Sequence, residues 1–530
     1  MPVCVKPSIA LGALVSALFI YAPGIGAQPV PSASTPTPVA PTAPDLSALS
    51  QDTFLRLLIA SNLDVEFSKI SVNINRHLRD SEAALYEPVF FMSLRKEARN
   101  RQRSYDERSQ NSPQTALLDE KVITDEFGIR NKLPTGADFS VSYRKSGRQN
   151  NLIGQYSSSL ADVERSDLLS LTLKQPLLKN AGRSVTETDR QLADLEYQIA
   201  LQQLTQQALK ISIEGLNLYW QLYKAQETLK LRKTATATTE ALMKDTQDRI
   251  AAGKTPASAV LELQSALLNR EAEWLRSQQT LSEAQSKIAT TVNLLWRGAS
   301  LLESWGTAPR LVNDTARTMP TGTPALQELL AQWSPYQIAQ LRQQQAQARQ
   351  ALAQNQTLPT VDLVMNYSGT GLSRNVTDAR ILAGKFTYPD WYVGVNVEIP
   401  LGGNQKAKGQ LAAQNERLHQ SQLELEAIEK AFANDALLRL ADLKNAITTL
   451  DLSKKEVQLR DKIFQNERQR VHIGSGSLGA LLQKQADWIE SSQKLLENQV
   501  RYEIALAMWQ YTRGSLLADN GISIFDARTL

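Results

Sequence analysis

The residue types that most often carry chemistry are sparse in this sequence. The three histidines, His77, His419 and His472, lie far apart, and no spacing of serine, histidine and acid supports nucleophilic catalysis. No cluster of possible metal ligands is present in the sequence. Gly402 and Gly403 follow a strand that ends in proline and lack the lysine of a phosphate-binding loop, so a strand-to-helix bend explains them better. We therefore expect no enzyme, no cofactor and no metal site.

Two polar segments with matching residues remain as candidate binding sites. Arg249 and Gly253 recur as Arg470 and Gly474, in each case 221 residues later. Glycine supplies the positive φ of a tight turn, and that structural role alone accounts for both glycines. An arginine near a helix C-terminus is either a solvated charge or a contact to a partner. Both interpretations stay open, and either one requires helices that present the segments.

Those helices can be identified in the sequence. Residues 185–252 are 68 residues with no proline and a single glycine, Gly215, and a helix of that length spans roughly 100 Å. After a turn at 253–256, apolar residues recur every seven positions, at Val260, Leu267, Trp274, Leu281 and Ile288. The shift of 221 residues reproduces them as Leu481, Trp488, Leu495, Tyr502 and Trp509. The sequence thus predicts a duplicated long helical hairpin with coiled-coil packing.

A pair of strands is predicted before each hairpin. Apolar and polar residues alternate with a period of two at about 137–145 and 166–175, and again at about 360–367 and 390–399. Lys174, Asn396 and Glu398 lie on the polar faces in mid-strand, and aromatic residues such as Tyr367 and Trp391 lie toward strand ends, as in membrane barrels. Four strands cannot close a barrel, because the smallest such barrels have about eight. We therefore expect other copies of the chain to complete the sheet.

The first repeat contains additional residues at 89–135, which are rich in charge. A short strand at 89–94 and a further hairpin ending at Thr135 and Gly136 are expected there. The charges most simply indicate a solvated surface, and the sequence assigns no role to this insertion.

The N-terminal residues predict export. Residues 1–27 contain Lys6, an apolar run and then small residues, which is the layout of a signal peptide. Residues 28–44 hold six prolines in seventeen residues, which predicts a flexible leader. The only cysteine, Cys4, would leave with the signal peptide, and none follows the apolar run, so we expect neither disulfides nor a lipid anchor. Loss of Lys6 leaves 57 basic and 54 acidic residues, a net charge of about +3 with no long basic run, so nucleic acid is not an expected partner.

With these features the chain resembles the outer membrane efflux protein family, the TolC-like exit ducts of Gram-negative bacteria. The motifs that carry the resemblance are the Gln-Pro-Leu-Leu of residues 175–178, Gly182 with Arg183, the Ile-Pro-Leu-Gly-Gly of 399–403, and the two turn segments 249–253 and 470–474. The resemblance implies an α+β membrane protein. It would be a homotrimer in outer-membrane lipid, with a twelve-stranded barrel to which each chain contributes four strands, and a tube of twelve helices across the periplasm. It also implies a passive conduit for efflux or type I secretion that meets a periplasmic adaptor and, through it, an inner-membrane transporter.

The resemblance also implies functional residues. The adaptor-docking tips fall on Arg249, Gly253, Lys254, Thr255, Arg470, Gly474, Ser475, Ser477 and Leu478. In the best-studied member of the family, acidic residues six and nine positions after the second tip glycine line the closed periplasmic aperture, and here these positions are Ala480 and Gln483. Glu262, nine positions after Gly253, and Asp487 are the acidic residues that could replace them.

The predicted organisation comprises a signal peptide (1–27), a leader (28–44), a first repeat (45–296, hairpin 185–296), an inter-repeat segment (297–323), a second repeat (324–515, hairpin 405–515) and a tail (516–530). A periplasmic adaptor would have one hairpin flanked by β-domains, and an exported structural coiled coil would lack the strand pairs. An exported hydrolase has no supporting residues. The transported substrate cannot be read from the sequence.

Overall fold

The computed structural model of the chain describes residues 51–110, 116–151, 163–251, 258–292 and 326–523. The predicted signal peptide, the leader and the inter-repeat segment lie outside these residues. Within the described ranges, no helix combines the length and the apolar character needed to span a bilayer.

Helices and one antiparallel sheet make up the described residues. The helices are α1 (Gln51–Ser61), α2 (Leu63–Ala83), α3 (Tyr105–Gln110), α4 (Arg183–Thr186), α5 (Thr188–Ala251), α6 (Ser258–Thr291), α7 (Leu326–Gln332), α8 (Ser334–Gln356), α9 (Val376–Gly384), α10 (Gln405–His472), α11 (Leu478–Thr512) and α12 (Leu516–Asp519). The strands are β1 (Val89–Gln102), β2 (Leu117–Lys132), β3 (Asp138–Asn150), β4 (Glu164–Pro176), β5 (Thr360–Ser373) and β6 (Pro389–Glu398).

The duplicated hairpins predicted from the sequence are present as α5 with α6 and α10 with α11. Helix α5 has 64 residues and α10 has 68, so each extends roughly 100 Å at the α-helical rise. Helix α5 packs against both α6 and α11, and α11 packs against α10. The order across this helical wall is therefore α6, α5, α11, α10, and its outermost helices are α6 and α10.

The short helices α1, α2 and α8 pack against the long helices. Asn62 begins α2, because its side-chain oxygen accepts hydrogen bonds from the backbone N–H groups of Asp64 and Val65 at 2.9 and 3.2 Å. Leu58 of α1 is fully buried and lies over Gly215, where an added Cβ would come within 2.2 Å of its Cδ2 atom. The single glycine of α5 therefore allows α1 to approach closely.

The six strands form one sheet in the order β1 to β6, and every neighbouring pair is antiparallel. Four strands per chain were predicted for the barrel, and the sheet has two more, β1 and β2, which form from the charged insertion. The strand expected at 89–94 is present but continues to Gln102, and the hairpin expected to end at Thr135 and Gly136 is the turn between β2 and β3. Charges obscure the period-two pattern there, because Arg95, Glu97 and Arg99 lie on one face and pair with each other at 2.7 and 3.1 Å. Strands β3, β4 and β5 also extend farther into the predicted loops than expected.

One face of the sheet is apolar. The pairing brings Phe90, Ile129, Val141, Leu171, Tyr367 and Trp391 into one row across all six strands. The opposite face is polar and internally bonded. On that face Asn366 donates hydrogen bonds to the hydroxyls of Ser170 and Thr172 at 2.8 and 2.9 Å, and Lys174 pairs with Asp362 at 2.9 Å. An exposed apolar face backed by a satisfied polar face is the pattern of a sheet between lipid and a water-filled lumen.

Helix α9 lies in the connection between β5 and β6, which the sequence analysis expected to be a polar loop. It packs on the apolar side of β5 and β4, over Gly369 and Gly371. A Cβ at Gly371 would lie 1.9 Å from the carbonyl oxygen of Ala379, a backbone atom that cannot rotate away. The absence of a side chain at Gly371 is therefore a condition for docking α9.

Gly371→Ala is expected to displace α9 from the sheet while leaving the strands paired. Trypsin should then cleave after the exposed residues Arg380 and Lys385 about tenfold faster, because unfolding of the α9 backbone, not side-chain exposure, limits proteolysis there. Gly394→Ala on β6 is the matched control, because a Cβ there meets nothing within 4 Å. Equal trypsin sensitivity of both variants would show that α9 does not depend on this close approach.

Candidate functional site at the helical tips

The tip of the second hairpin is a tight glycine turn. Helix α10 ends at His472, and Gly474 follows with a φ of 81°, which favours glycine. The backbone N–H groups of Ser475 and Gly476 both donate to the carbonyl oxygen of Arg470, at 2.9 and 3.0 Å. The turn thus satisfies a terminal helix carbonyl internally.

The next helix begins with a side-chain cap. The hydroxyl of Ser477 accepts a hydrogen bond from the backbone N–H of Ala480 at 3.1 Å, and α11 starts at Leu478. Arg470 lies on the surface of the turn and pairs with Glu467 at 3.1 Å. Of the predicted tip residues, Ser475 and Ser477 therefore have defined structural roles in the turn, and Leu478 is half-buried.

The first tip contacts the second through Arg249. Its Nη1 atom donates a 2.6 Å hydrogen bond to the carbonyl oxygen of Val471, near the end of α10. This contact links the end of α5 to the end of α10. Gly253, Lys254 and Thr255 lie outside the described residues.

Gly476 is a tip residue that the sequence analysis did not single out. An added Cβ would lie 2.9 Å from the backbone nitrogen of Val471 and 3.0 Å from the Glu467 carboxylate, so the turn closes tightly against α10 at this point. The second glycine of the Gly-Ser-Gly segment 474–476 was the available signal. The repeat comparison did not point to it, because residue 255, its counterpart 221 positions earlier, is threonine.

The candidate aperture residues differ in their environments. Ala480 and Gln483 are exposed on the first turns of α11. Asp487 accepts a hydrogen bond from Gln483 at 2.9 Å and pairs with Arg460 of α10 at 3.3 Å. The guanidinium of Arg460 therefore offsets the charge of Asp487.

Glu262 occupies the equivalent place in the first hairpin. The shift of 221 residues superimposes it on Gln483. It is exposed on α6 and forms no ion pair with another described residue. Among the four aperture candidates, Glu262 is thus the carboxylate with an uncompensated charge.

Two leucine stripes on the outermost helices are further functional candidates that the sequence analysis missed. Leu261, Leu268 and Leu275 recur every seven residues on α6 and are 59–69% exposed. Leu438, Leu452 and Leu459 lie on α10 at multiples of seven residues and are 60–61% exposed. The heptad that the sequence analysis followed is the adjacent one, which begins at Val260 and packs within the wall. A seven-residue spacing on a second stripe was the signal for a further helix contact.

Within the described residues, no group of three or more histidine, cysteine or acidic side chains is placed to hold a metal ion. The tips instead offer the exposed Arg470 side chain, the exposed Ile473 and a turn of fixed shape. This arrangement suits recognition of another protein surface.

Comparisons with known proteins agree with the geometry. Residues 325–508 match the family model described as outer membrane efflux protein. No curated protein matches the sequence.

Solved structures share the fold over most of the chain. The outer-membrane channel OprN has a TM-score of 0.61 at 15% sequence identity, and the match covers 89% of this chain and 91% of OprN. The CmeC outer membrane channel of Campylobacter jejuni has a TM-score of 0.59 at 12% identity, with 89% and 87% covered. The open MtrE outer membrane channel of Neisseria gonorrhoeae has a TM-score of 0.57 at 13% identity, with 88% and 89% covered. Residues 325–508 are thus similar to the outer membrane efflux protein family, and the chain shares the fold of these outer-membrane channels.

Proposed function

We propose that this protein is the outer-membrane exit duct of a tripartite export assembly. Three copies enclose one continuous passage, through which substrates leave the cell. The observation that carries the proposal is the two-faced sheet, apolar on one side and hydrogen-bonded on the other, joined to a wall of helices about 100 Å long. The periplasmic adaptor and the structural coiled coil considered from the sequence do not account for such a sheet.

The helical wall is incomplete in a single copy. Its outermost helices, α6 and α10, each carry an exposed leucine stripe, and exposed apolar surface of this extent marks a contact site. A stripe with seven-residue spacing fits a second helix in coiled-coil packing. We infer that α6 of one copy packs against α10 of the next, so that three walls close into a tube of twelve helices.

The duct acts passively. Its tip residues and polar sheet face can bind and exclude, but they supply no energy for transport. The inner-membrane transporter and the adaptor are therefore the expected partners, and the nature of the substrate depends on them. The direction of transport follows from the coupled pump.

The adaptor is proposed to dock on the tips. Ile473, Gly474 and Ser475 are exposed, and Ile473 presents 70% of its surface to solvent. The tips lie at the end of α10 remote from the sheet, so a partner can reach them without meeting lipid. An exposed apolar side chain beside fixed backbone turns is a suitable anchor for a protein partner.

The trimer is tested by placing a charge in the leucine stripe. Leu268→Lys should abolish stable trimers extracted in mild detergent, because three lysines would be buried in three helix contacts. Asn269→Lys is the control, since Asn269 is an exposed neighbour outside the stripe. Size-exclusion chromatography with light scattering measures the mass. A trimer that persists in Leu268→Lys, or a wild-type chain recovered as a soluble monomer, would contradict the proposal.

Docking is tested at the turn. Gly474→Val places a β-branched residue at a φ of 81° and should weaken adaptor capture by about tenfold or more, because the turn must rearrange. Gly479→Val lies five residues away, where a Cβ meets nothing within 4 Å, and should retain capture. Pull-down with the adaptor encoded beside this protein is the measurement, with trimer mass as the control for folding. Unchanged capture by Gly474→Val would remove the tip from the docking surface.

Glu262 is tested by ion selectivity. If its three copies face the lumen, their negative charge favours cations, and Glu262→Gln should bring the cation-to-anion permeability ratio closer to one. Asp487→Asn should change the ratio less, because Arg460 already offsets that carboxylate. Reversal potentials in planar bilayers under a salt gradient provide the ratio. Strong cation selectivity in Glu262→Gln would place the selective ring elsewhere.

A further inference from the structure

We propose that β1 of one copy pairs with β6 of the next, so that three copies form a closed barrel of eighteen strands. Each chain then contributes six strands, including the insertion to which the sequence assigned no role. This inference rests on the trimer of the proposed function. It concerns a sheet contact that is separate from the helix contact between α6 and α10.

The exposed apolar side chains on one face of the sheet, here called the apolar belt, continue onto β1 and β2. These two strands therefore belong to the barrel wall. Phe90, Met92 and Leu94 of β1 point to the apolar side and are 55–65% exposed. Phe90 is paired with Ile129 and Met92 with Phe127, in the same rows as the belt residues of β3 and β4. A hairpin projecting into water would have no reason to continue this belt in register.

The polar face continues across the insertion as well. Glu126 of β2 pairs with Arg144 of β3 at 3.1 Å, and Glu120 pairs with Arg148 at 3.3 Å. Phe91 of β1 lies over Gly128 of β2, so the space left by the missing side chain is filled by a ring. Both faces of β1 and β2 therefore match the faces of the remaining sheet.

The start of β1 is tied to the helical part. The hydroxyl of Tyr86 donates a 2.9 Å hydrogen bond to the Glu187 carboxylate, which also accepts one from Arg183 at 3.0 Å. These bonds hold the pKa of Glu187 below its usual value, with Arg183 contributing more than Tyr86. The chain thus leaves the helical region at a fixed place and enters β1 within the wall.

The strand edges require a partner. In lipid, unpaired backbone N–H and C=O groups are too costly, so a spanning sheet must close. The free edges of this sheet are those of β1, with 14 residues, and β6, with 10, and either length can cross a bilayer. If each chain contributed only four strands, β3 to β6, then β3 would have to pair with the next copy. That edge of β3 is unavailable, because 13 of its residues are paired with β2.

Strand direction permits the closure. Neighbouring strands alternate in direction, so β1 and β6 of one chain run oppositely. An even number of strands per chain therefore lets β6 meet β1 of the next copy in an antiparallel pair. Eighteen strands arranged in this way have no free edge.

The belt also selects a register. The outward residues of β1 are Phe90, Met92 and Leu94, and those of β6 at belt height are Val393, Val395 and Val397. Aligning the two belts in an antiparallel pair places Met92 opposite Val395. Asn396 points to the other face and cannot meet Met92.

Cysteine crosslinking tests the contact in the full chain. The sequence contains no cysteine except Cys4, in the predicted signal peptide, so introduced pairs can be read without background. The double variant Met92→Cys with Val395→Cys should give two- and three-chain species with a short thiol crosslinker in outer membranes. Met92→Cys with Val393→Cys or Val397→Cys tests the adjacent registers. Met92→Cys with Asn396→Cys is the control for facing and should give none.

A further pair separates the inference from the proposed function. Val141→Cys with Val395→Cys should not crosslink between chains, because β3 is inside the sheet. If this pair crosslinks and no Met92 pair does, twelve strands form the barrel and the inference is overturned, while the trimeric duct stands. Absence of crosslinks from all pairs in a chain that is trimeric by mass also overturns it. A chain that is monomeric by mass contradicts the proposed function itself.

Discussion

Backbone hydrogen bonding in lipid is the constraint on which this structure depends. A strand inside a bilayer cannot leave its N–H and C=O groups to water, so the sheet needs a neighbour on both edges. A single chain supplies five internal strand contacts and leaves β1 and β6 open. The helical wall is also open at both sides, because its outermost helices, α6 and α10, expose leucine stripes that need a packing partner. Folding and assembly are therefore coupled both in the sheet and in the helical wall.

The sheet and the helical wall also differ in where their polar groups lie. In the sheet, polar residues lie on one face, where Asn366 bonds to Ser170 and Thr172. In the helices, buried polar groups bridge the hairpins, as where Gln485 of α11 meets Thr239 of α5 at 3.3 Å. Arg249 makes such a bridge at the tip, from α5 to the end of α10. These bonds have defined directions, so they align the hairpins in a way that leucine packing alone does not.

Much of this architecture could be predicted from sequence, because periodicity reports directly on packing. The long hairpins follow from residues spaced by seven and from the absence of proline, and β3 to β6 follow from alternation by two. Strands β1 and β2 were harder to predict, because a sheet with a polar face tolerates charges that otherwise indicate a surface loop. Helix α9 was missed because its docking depends on a close backbone approach at Gly371, which has no sequence period. At the tips, the turn glycine Gly474 could be predicted from the repeat, but the bond from Arg249 to Val471 joins residues 222 positions apart.

The six-stranded sheet has a consequence for the shape of the passage. A strand tilted as in membrane barrels occupies about 6 Å of circumference, so eighteen strands extend roughly 110 Å around the pore. Twelve helices spaced at 9–10 Å also extend roughly 110–120 Å, whereas twelve strands would extend only about 75 Å. The two extra strands per chain therefore match the perimeter of the barrel to that of the tube beneath it. In the proposed trimer the passage then has a nearly constant bore from the tube into the barrel, with no funnel at the membrane.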